Sequence, residues 1–265
     1  MSIVDIGANL GNKAFHGDLD AVLARALDAG VTAIVATGTS VEGSRRAWEI
    51  AERERSRSPK LWSTAGIHPH NAKTFGPDTR IALRELAARE EVVAIGECGL
   101  DFDRDFSPRD LQVKAFRAQL ELAAELGMPV FLHERAAHAA FVEILGEMRP
   151  RLSRAVVHCF TGTESELDRY LALDCHIGLT GWLCDDRRGA HLAAFIGKIP
   201  TDRLMIETDA PYILPRDMRP KPKSGRNEPA YLPHVLAAVA RARGTTPEAL
   251  AEATSATATR FFDLT

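Results

Sequence analysis

The sequence lacks the features that mark membrane and secreted proteins. No hydrophobic run approaches the ~18 residues that a transmembrane helix needs, so we expect no membrane partner. The first residues, MSIVDIGANL, contain neither a basic segment nor a small-residue cleavage motif, and we expect no signal peptide. The four cysteines lack the CxxC spacing of zinc and redox motifs, which indicates reduced thiols in a cytoplasmic protein.

An excess of positive charge is also missing. The chain has 33 Lys and Arg against 36 Asp and Glu, a net charge of -3, so a nucleic-acid partner would have to meet a local basic patch. Internal repeats and low-complexity linkers are absent as well. The composition, with 45% hydrophobic residues among 265, is typical of a globular protein. We expect a single domain over residues 1–265 that acts as a monomer.

Short apolar segments alternate with amphipathic ones along the whole chain. Apolar runs that end in turn signals predict eight strands, at residues 3–6, 31–35, 61–65, 92–96, 129–132, 155–157, 175–179 and 204–206. Helical spacing of apolar residues predicts helices at 18–29, 42–55, 78–89, 108–126, 137–147, 164–173, 187–196, 231–242 and 246–262. Thr163 is predicted to cap one of these helices, with Glu166 closing a capping box.

This alternation predicts the α/β class. Strands that alternate with helices pair in parallel through right-handed crossovers, and eight such units in about 250 residues close most naturally into a (β/α)8 TIM barrel. An open, doubly wound sheet is the alternative. No Gly-x-Gly-x-x-Gly follows the first predicted strand to favour it.

Histidines and carboxylates stand at the carboxyl ends of five predicted strands. In a barrel these strand ends surround the active site. The polar residues found there are Asn9, His68, His70, Glu97, His133, His158, Glu207 and Asp209. Such a cluster of nitrogen and oxygen ligands suits a divalent cation such as Zn²⁺, Mn²⁺, Co²⁺ or Mg²⁺.

The residue types suggest roles in metal-assisted hydrolysis. Neutral imidazoles of His133 and His158 can bind a cation, and the carboxylate of Glu97 can bridge two cations. Asp209 can bind the cation and accept a proton from a water molecule that the cation acidifies. Glu207 lies two residues earlier in an extended chain, so it shares the face of Asp209. Glu207 has two interpretations, a functional acid or a structural acid inside the barrel held by a basic partner.

Several sequence blocks resemble the TatD family of metal-dependent deoxyribonucleases. They are STAGIHPH, VVAIGECGLDFDRDFS, PVFLHERAAHAAF, VVHCFTG, IGLTGWLCDDRRG, LMIETDAPYILPRD and KPKSGRNEPAYLPHV. The resemblance runs from the first strand to the last helix. It implies a (β/α)8 fold related to the amidohydrolases and the hydrolysis of phosphodiester bonds. The closest resemblance is to the branch of Mg²⁺-dependent 3′–5′ exonucleases that act on single-stranded DNA and RNA.

The resemblance also implies roles for individual residues. The metal ligands of the family fall on Glu97, His133, His158 and Asp209. Its functional glutamate falls on Glu207, and its histidine after the third strand falls on His68. In one place the chain departs from the family pattern: many relatives carry His-x-His at the end of the first strand, where this chain has Gly7 and Asn9. An amide is a poor substitute for an imidazole, so the site is expected to hold one or two ions, with Mg²⁺ favoured because substrate oxygens often complete its coordination.

A single-stranded nucleic-acid substrate requires cations and stacking surfaces near the strand ends. The cations near the strand ends are Arg104, Arg135, Arg187, Arg188, Lys221, Lys223 and Arg226. Of these, Arg135, Arg187 and Arg226 are expected to contact phosphates, and each has the alternative interpretation of a solvated surface charge. Trp182 is expected to stack on a base, or else to plug the mouth of the barrel.

Two other functions remain open from the sequence. One is a hydrolase that uses the same centre on another ester or amide, for example on a misacylated tRNA. The other is a barrel that binds nucleic acid or a partner without catalysis, which the missing first-strand histidines favour.

Overall fold

The computed structural model describes residues 2–264 and contains eight parallel strands in sequential order. The strands are β1 (Ile3–Ala8), β2 (Val31–Ala36), β3 (Lys60–Ala65), β4 (Val92–Asp101), β5 (Val130–Arg135), β6 (Ala155–Val157), β7 (His176–Leu179) and β8 (Leu204–Ile206). Each strand pairs with the next along the chain. The prediction of a TIM barrel is therefore confirmed.

Helices alternate with the first six strands, and two more follow β8. They are α1 (Leu19–Asp28), α2 (Val41–Arg53), α3 (Pro77–Ala87), α4 (Arg109–Leu126), α5 (His138–Met148), α6 (Glu164–Ala172), α7 (Leu232–Arg243) and α8 (Pro247–Phe262). The predicted capping box at the start of α6 is confirmed, since Thr163 and Glu166 satisfy each other's backbone N–H groups. Among residues 2–264, we find no helix with the length and apolar character needed to cross a bilayer.

The predicted helix at residues 187–196 is wrong. The chain between β7 and β8 instead forms short 3₁₀ turns at Gly181–Cys184, Ala190–Ala194, Ile196–Lys198 and Thr201–Arg203. The side chain of Asp185 accepts a hydrogen bond from Arg187 N at 3.1 Å, and its carbonyl accepts one from Arg188 N at 3.1 Å. These bonds form a single capped turn after Asp185, and the glycines at 189 and 197 lower the propensity of the chain to continue that turn as an α-helix.

Strand β4 extends five residues beyond its predicted end at Gly96. Its last residues remain in register with β5, with Gly99 opposite His133 and Asp101 opposite Arg135. The glycines of β4 conceal this continuation in the sequence, because glycine is a weak strand residue and usually marks a turn. The extension carries Asp101 into the rim of the barrel.

The barrel closes where β1 meets the chain after β8. Asp209 N donates to Gly7 O at 2.8 Å, and Asn9 N donates to Ala210 O at 2.7 Å. The buried carboxylate of Asp5 strengthens this seam, because it accepts hydrogen bonds from Thr208 N at 3.0 Å and Thr208 Oγ1 at 2.6 Å. The two ends of the sheet are thereby joined directly beneath the segment that carries Asp209.

Apolar side chains fill the rest of the barrel interior and leave one end for polar groups. Phe131 and Met205 are fully buried there and belong to one cluster with Phe261 and Phe262 of α8. A second, larger cluster lies between the strands and the surrounding helices. Since α8 packs under the barrel, the polar strand ends gather at the opposite mouth.

We predict that Asp5→Asn changes how stability depends on pH. Complete burial, opposed by the hydrogen bonds from Thr208, raises the pKa of Asp5 from 3.8 to about 7. The folded state therefore binds more protons than the unfolded state between these pH values, and the contribution of Asp5 to stability is lost as pH rises from about 4 to 7. The free energy of unfolding of wild type, measured by urea denaturation in EDTA, should fall relative to that of Asp5→Asn by up to about 4 kcal/mol over this range.

The matched control is Asp28→Asn, which removes an exposed carboxylate of α1. Parallel pH profiles of wild type and Asp5→Asn would contradict the prediction.

Candidate metal centre and active site

A cavity of about 760 Å³ opens at the carboxyl ends of the strands. Residues predicted from strand ends meet there, although up to two hundred positions separate them in the chain. The predicted residues that line the cavity are Asn9, His68, His70, Glu97, His133, Arg135, His158, Trp182 and Asp209. The distribution agrees with the rule that a barrel places its active site at the C-terminal face.

One carboxylate oxygen of Glu97 forms the centre of the polar cluster. Its Oε1 lies 2.8 Å from His158 Nε2, 2.9 Å from His133 Nδ1 and 3.3 Å from His68 Nε2. The three rings come from β5, from the end of β6 and from the segment after β3. Glu97 is only 4% exposed, so these contacts replace nearly all of its hydration.

Close approach of β4 to β5 makes these contacts feasible. Gly96 and Gly99 have φ values of +144° and +149°, which non-glycine residues rarely adopt. A Cβ atom at Gly99 would lie 1.8 Å from His133 O, and one at Gly96 would lie 2.2 Å from Phe131 O. Glycine at both positions therefore lets Glu97 and His133 stand side by side.

The charges in the cluster follow from burial and mutual contact. Burial lowers the pKa of His68 to about 4, so its imidazole is neutral near pH 7. Burial opposes ionisation of Glu97, but His158 and His68 outweigh it and hold the pKa of Glu97 well below its usual value. For His158 the carboxylates of Glu97 and Glu207 outweigh burial and raise the pKa well above its usual value. Burial raises the pKa of Asp209 to about 8.

The donor set fits a divalent cation. Ligand atoms of His68, Glu97 and His133 all lie within 4.8 Å of one another. His133 Nε2 is buried and lacks a hydrogen-bond partner among the described residues, an arrangement that is costly unless the nitrogen binds something else. Asp101 Oδ2 is the nearest acid to that nitrogen, at 3.6 Å, which is too long for a hydrogen bond. Imidazole and carboxylate together are the common ligands of Zn²⁺, Mn²⁺, Co²⁺ and Mg²⁺ sites.

Glu207 contacts the cluster from inside the barrel. It is fully buried, and its Oε1 accepts a hydrogen bond from Cys159 N at 2.6 Å. Its Oε2 lies 3.3 Å from His158 Nδ1. This placement agrees with the interpretation of Glu207 as a structural acid that holds a basic partner, here His158.

The first-strand positions that depart from the family pattern have their own structural roles. A Cβ atom at Gly7 would lie 2.2 Å from Glu207 Oε2, so glycine leaves the space that this carboxylate occupies. Asn9 Nδ2 donates to Asp209 Oδ1 at 3.0 Å and so orients the acid. The amide of Asn9 thus contacts the cluster through Asp209.

One acid of the rim, Asp101, was not predicted as a site residue, whereas its partner His70 was among the strand-end residues found in the sequence. His70 Nε2 lies 2.7 Å from Asp101 Oδ2, and both residues line the cavity. The backbone N–H groups of Asp103 and Arg104 donate to Asp101 Oδ1 at 3.0 Å and 2.9 Å. Asp101 was missed because β4 was predicted to end at Gly96. Its position opposite Arg135 in the β4–β5 register is the signal that could have found it.

The predicted substrate contacts divide into two groups. Arg135 and Trp182 line the cavity, with the guanidinium of Arg135 5.9 Å from the Trp182 ring. Arg187 lines a different cavity, beside Cys184 and Asp217. Arg226 pairs with Asp18 at 2.7 Å and Glu228 at 2.6 Å, which gives its guanidinium a structural role.

Arg188, which the sequence placed among the rim cations but not among the expected phosphate contacts, lines the catalytic cavity that Arg187 does not line. Its guanidinium stacks 4.1 Å from the centre of the Trp182 ring, and Asp185 Oδ2 accepts from its Nε at 2.7 Å. Two aromatic residues of the same cavity are unusually exposed, with Phe106 at 60% and Tyr212 at 52%. The mouth therefore combines cations with stacking surfaces.

Comparisons with known proteins agree with this geometry. The model of the family described as TatD related DNase matches residues 4–263. The 3'-5' ssDNA/RNA exonuclease TatD of Erwinia billingiae is 54% identical over 260 residues, covering 98% of each chain. The solved structure of YJJV, a TatD homologue of Escherichia coli K12, has a TM-score of 0.89 at 28% identity and covers 99% of this chain and 98% of that chain. A TatD family hydrolase from Entamoeba histolytica has a TM-score of 0.88 at 27% identity, with the same coverage.

These matches extend over essentially the entire length of the chain and of its relatives. They confirm the resemblance carried by the sequence blocks around Glu97, His133, His158 and Asp209. The chain therefore belongs to the family of TatD-related DNases.

Proposed function

We propose that this chain is a divalent-metal-dependent nuclease that removes nucleotides from the 3′ end of single-stranded DNA and RNA. The observation that carries the proposal is the cluster of Glu97 with three histidines at the floor of a cavity whose mouth holds Arg135, Arg188 and Trp182. The Erwinia billingiae relative is named a 3'-5' ssDNA/RNA exonuclease, which supports the substrate and the direction. In this proposal the whole chain, residues 1–265, forms one catalytic domain that acts as a monomer in the cytoplasm.

Glu97, His133, His158 and Asp209 would hold the cation, with His68 beside them. Mg²⁺ is the ion we favour, as one ion or two, because it accepts carboxylates and leaves sites for phosphate oxygens; Mn²⁺, Co²⁺ and Zn²⁺ also suit these ligands. When bound, such a cation polarises the phosphate and acidifies a water molecule.

The residues of the chain have distinct tasks in the proposed reaction. Asp209, whose Oδ1 accepts a hydrogen bond from Asn9 Nδ2, would accept a proton from the attacking water. Glu207 holds the ring of His158 through Nδ1 and so directs Nε2 toward the cluster. His68 accepts a hydrogen bond from His70 N through Nδ1 at 3.1 Å, so its ring, neutral near pH 7, carries its proton on Nε2 beside Glu97.

The mouth of the cavity would hold the strand. The guanidinium groups of Arg135 and Arg188 can bind phosphate oxygens, and Trp182 lies between them as a stacking surface. Phe106 and Tyr212 offer two further exposed rings on which unpaired bases can stack. A base inside a duplex cannot stack on these rings without being unpaired first, which supports a single-stranded substrate.

We predict that Glu97→Gln abolishes hydrolysis while the fold remains intact. The substitution keeps the shape of the side chain but removes the charge that His68, His133 and His158 surround, so activity should fall by at least about 100-fold. The measurement is release of mononucleotides from a labelled single strand in saturating Mg²⁺, with circular dichroism as the test of folding. His16→Ala, which lies outside the cavity lining, is the control and should behave as wild type.

Near-normal turnover of Glu97→Gln would contradict the proposed centre. If wild type leaves single strands intact but hydrolyses a misacylated tRNA or another ester, the alternative hydrolase function is favoured. Strand binding by wild type that yields no turnover with any of the four cations would indicate a binding protein.

We predict that Glu207→Gln lowers kcat and metal affinity with little change in KM. The glutamine can still accept from Cys159 N, but it cannot present an anionic oxygen to His158 Nδ1, so the orientation of that ring is lost. We expect losses of about 10- to 100-fold, measured by steady-state kinetics and by Mn²⁺ binding. A variant that keeps wild-type Mn²⁺ affinity would exclude this role for Glu207.

We predict that Arg188→Ala raises KM for a single-stranded oligonucleotide by about 10-fold, with kcat nearly unchanged, because one phosphate contact is lost. The neighbouring Arg187→Ala is a matched control, since Arg187 lines a different cavity, and its KM should change less than about 2-fold. Equal effects of the two substitutions, or a larger effect of Arg187→Ala, would favour the contact predicted from the sequence instead.

A further inference from the structure

A second cluster of metal-ligand residues lies outside the catalytic cavity. Cys184, Asp217 and His234 each offer one ligand atom, and these atoms all lie within 4.8 Å of one another. Cys184 ends the 3₁₀ turn Gly181–Cys184 after β7, Asp217 belongs to the loop after β8, and His234 lies in the first turn of α7. Three separate segments of the chain therefore meet at this cluster.

We propose that Cys184, Asp217 and His234 form a zinc-binding site, distinct from the catalytic centre. Thiolate, imidazole and carboxylate are the three side-chain ligand types of zinc proteins, and three protein ligands leave a fourth tetrahedral position for water. The thiolate sets this cluster apart from the catalytic centre, because sulfur favours Zn²⁺ over Mg²⁺. The inference does not rest on the proposed nuclease function.

The three side chains are arranged to receive an ion from solvent. His234 Nε2 already lies 2.7 Å from Asp217 Oδ1, and these two side chains are 33% and 36% exposed. Cys184 is 4% exposed and lines, together with Asp217, a cavity of about 320 Å³. The ion can enter through this cavity and reach the buried sulfur.

Charges around the cluster leave the carboxylate of Asp217 available. Arg187, Arg216, Arg219 and Lys221 line the same cavity, together with Asp185 and Asp186. Arg216, the nearest in sequence, directs its guanidinium to Asp185 at 3.2 Å. Asp186 contributes a second acid whose charge acts on Cys184.

Metal binding at this cluster exchanges protons for the ion. Burial and the nearby carboxylates raise the pKa of Cys184 to about 12, so the free thiol is protonated near pH 7. Formation of the zinc–sulfur bond releases that proton to solvent. His234 binds through Nε2 and carries its one proton on Nδ1, and Asp217 exchanges its hydrogen bond to His234 for the ion.

A zinc ion here would fix the segment that forms one wall of the catalytic cavity. Cys184 lies two residues after Trp182 and four before Arg188, and both of those residues line that cavity. Asp217 lies in the loop that begins near Tyr212. The segment between β7 and β8 lacks an α-helix, so a metal link to α7 would supply rigidity that a helix supplies elsewhere in the barrel.

The test uses Co²⁺ as a spectroscopic substitute for Zn²⁺ on the full-length protein after treatment with EDTA. A cobalt–thiolate bond gives an intense near-ultraviolet absorption band, whereas Co²⁺ bound by the nitrogen and oxygen ligands of the catalytic centre does not. Wild type should develop this band when one equivalent of Co²⁺ binds in addition to the Co²⁺ held by the catalytic centre. Added Zn²⁺ should abolish the band because it displaces Co²⁺ from the thiolate. Cys184→Ser should lose the band, and His234→Gln should weaken Co²⁺ binding by at least about 10-fold.

Cys175→Ser is the matched control, because Cys175 is a buried cysteine outside the cluster, and the band should persist in that variant. A band that survives Cys184→Ser would overturn the proposal. Absence of the band from wild type at millimolar Co²⁺ would also overturn it, leaving the cluster as a hydrogen-bonded group. His234→Gln keeps the test decisive if Cys184→Ser fails to fold, since unchanged Co²⁺ affinity in that variant excludes the site.

Discussion

The contact of one carboxylate oxygen with three imidazoles is the interaction on which the active end of this barrel depends. Glu97 Oε1 lies within 3.3 Å of nitrogens from His68, His133 and His158. A buried carboxylate is stable only if its charge is compensated, and the rings supply that compensation while their own pKa values shift in response. The same crowding of donors around one point is what a divalent cation requires. The arrangement that compensates the charge of Glu97 is therefore the same arrangement that could bind a metal ion.

The hydrogen-bonded seam between β1 and the chain after β8 positions the acids that contact this cluster. Gly7 leaves room for the carboxylate of Glu207, which in turn holds His158. Asn9 donates to Asp209, and Asp5 binds the backbone and hydroxyl of Thr208 between the two acids. The residues that close the barrel are thus the ones that orient the acids of the site. The departure of this chain from the His-x-His pattern replaces first-strand imidazoles with packing space and an amide donor.

Most of the barrel could be predicted from the sequence, because strands and helices are marked by local spacing of apolar residues. Of the eight predicted strand–helix units, seven correspond to an observed strand and an observed helix whose bounds differ by a few residues. Strands β6 and β8 have the predicted bounds. The helix predicted at residues 187–196 is wrong because the turn that begins at Asp185 is interrupted by glycines at 189 and 197. The end of β4 was missed because its glycines, which usually signal a turn, serve there to bring β4 close to β5.

The sequence by itself determined the fold class and the candidate ligands Glu97, His133, His158 and Asp209, since residues at the ends of parallel strands must meet at one mouth of a barrel. Only the tertiary structure decided which arginines face the cavity. Arg188 stacks on Trp182 because Asp185 holds it there, whereas Arg226 is held by Asp18 and Glu228 and does not line the cavity. Loop side chains take their direction from partners distant in the chain, and local sequence patterns do not record those partners.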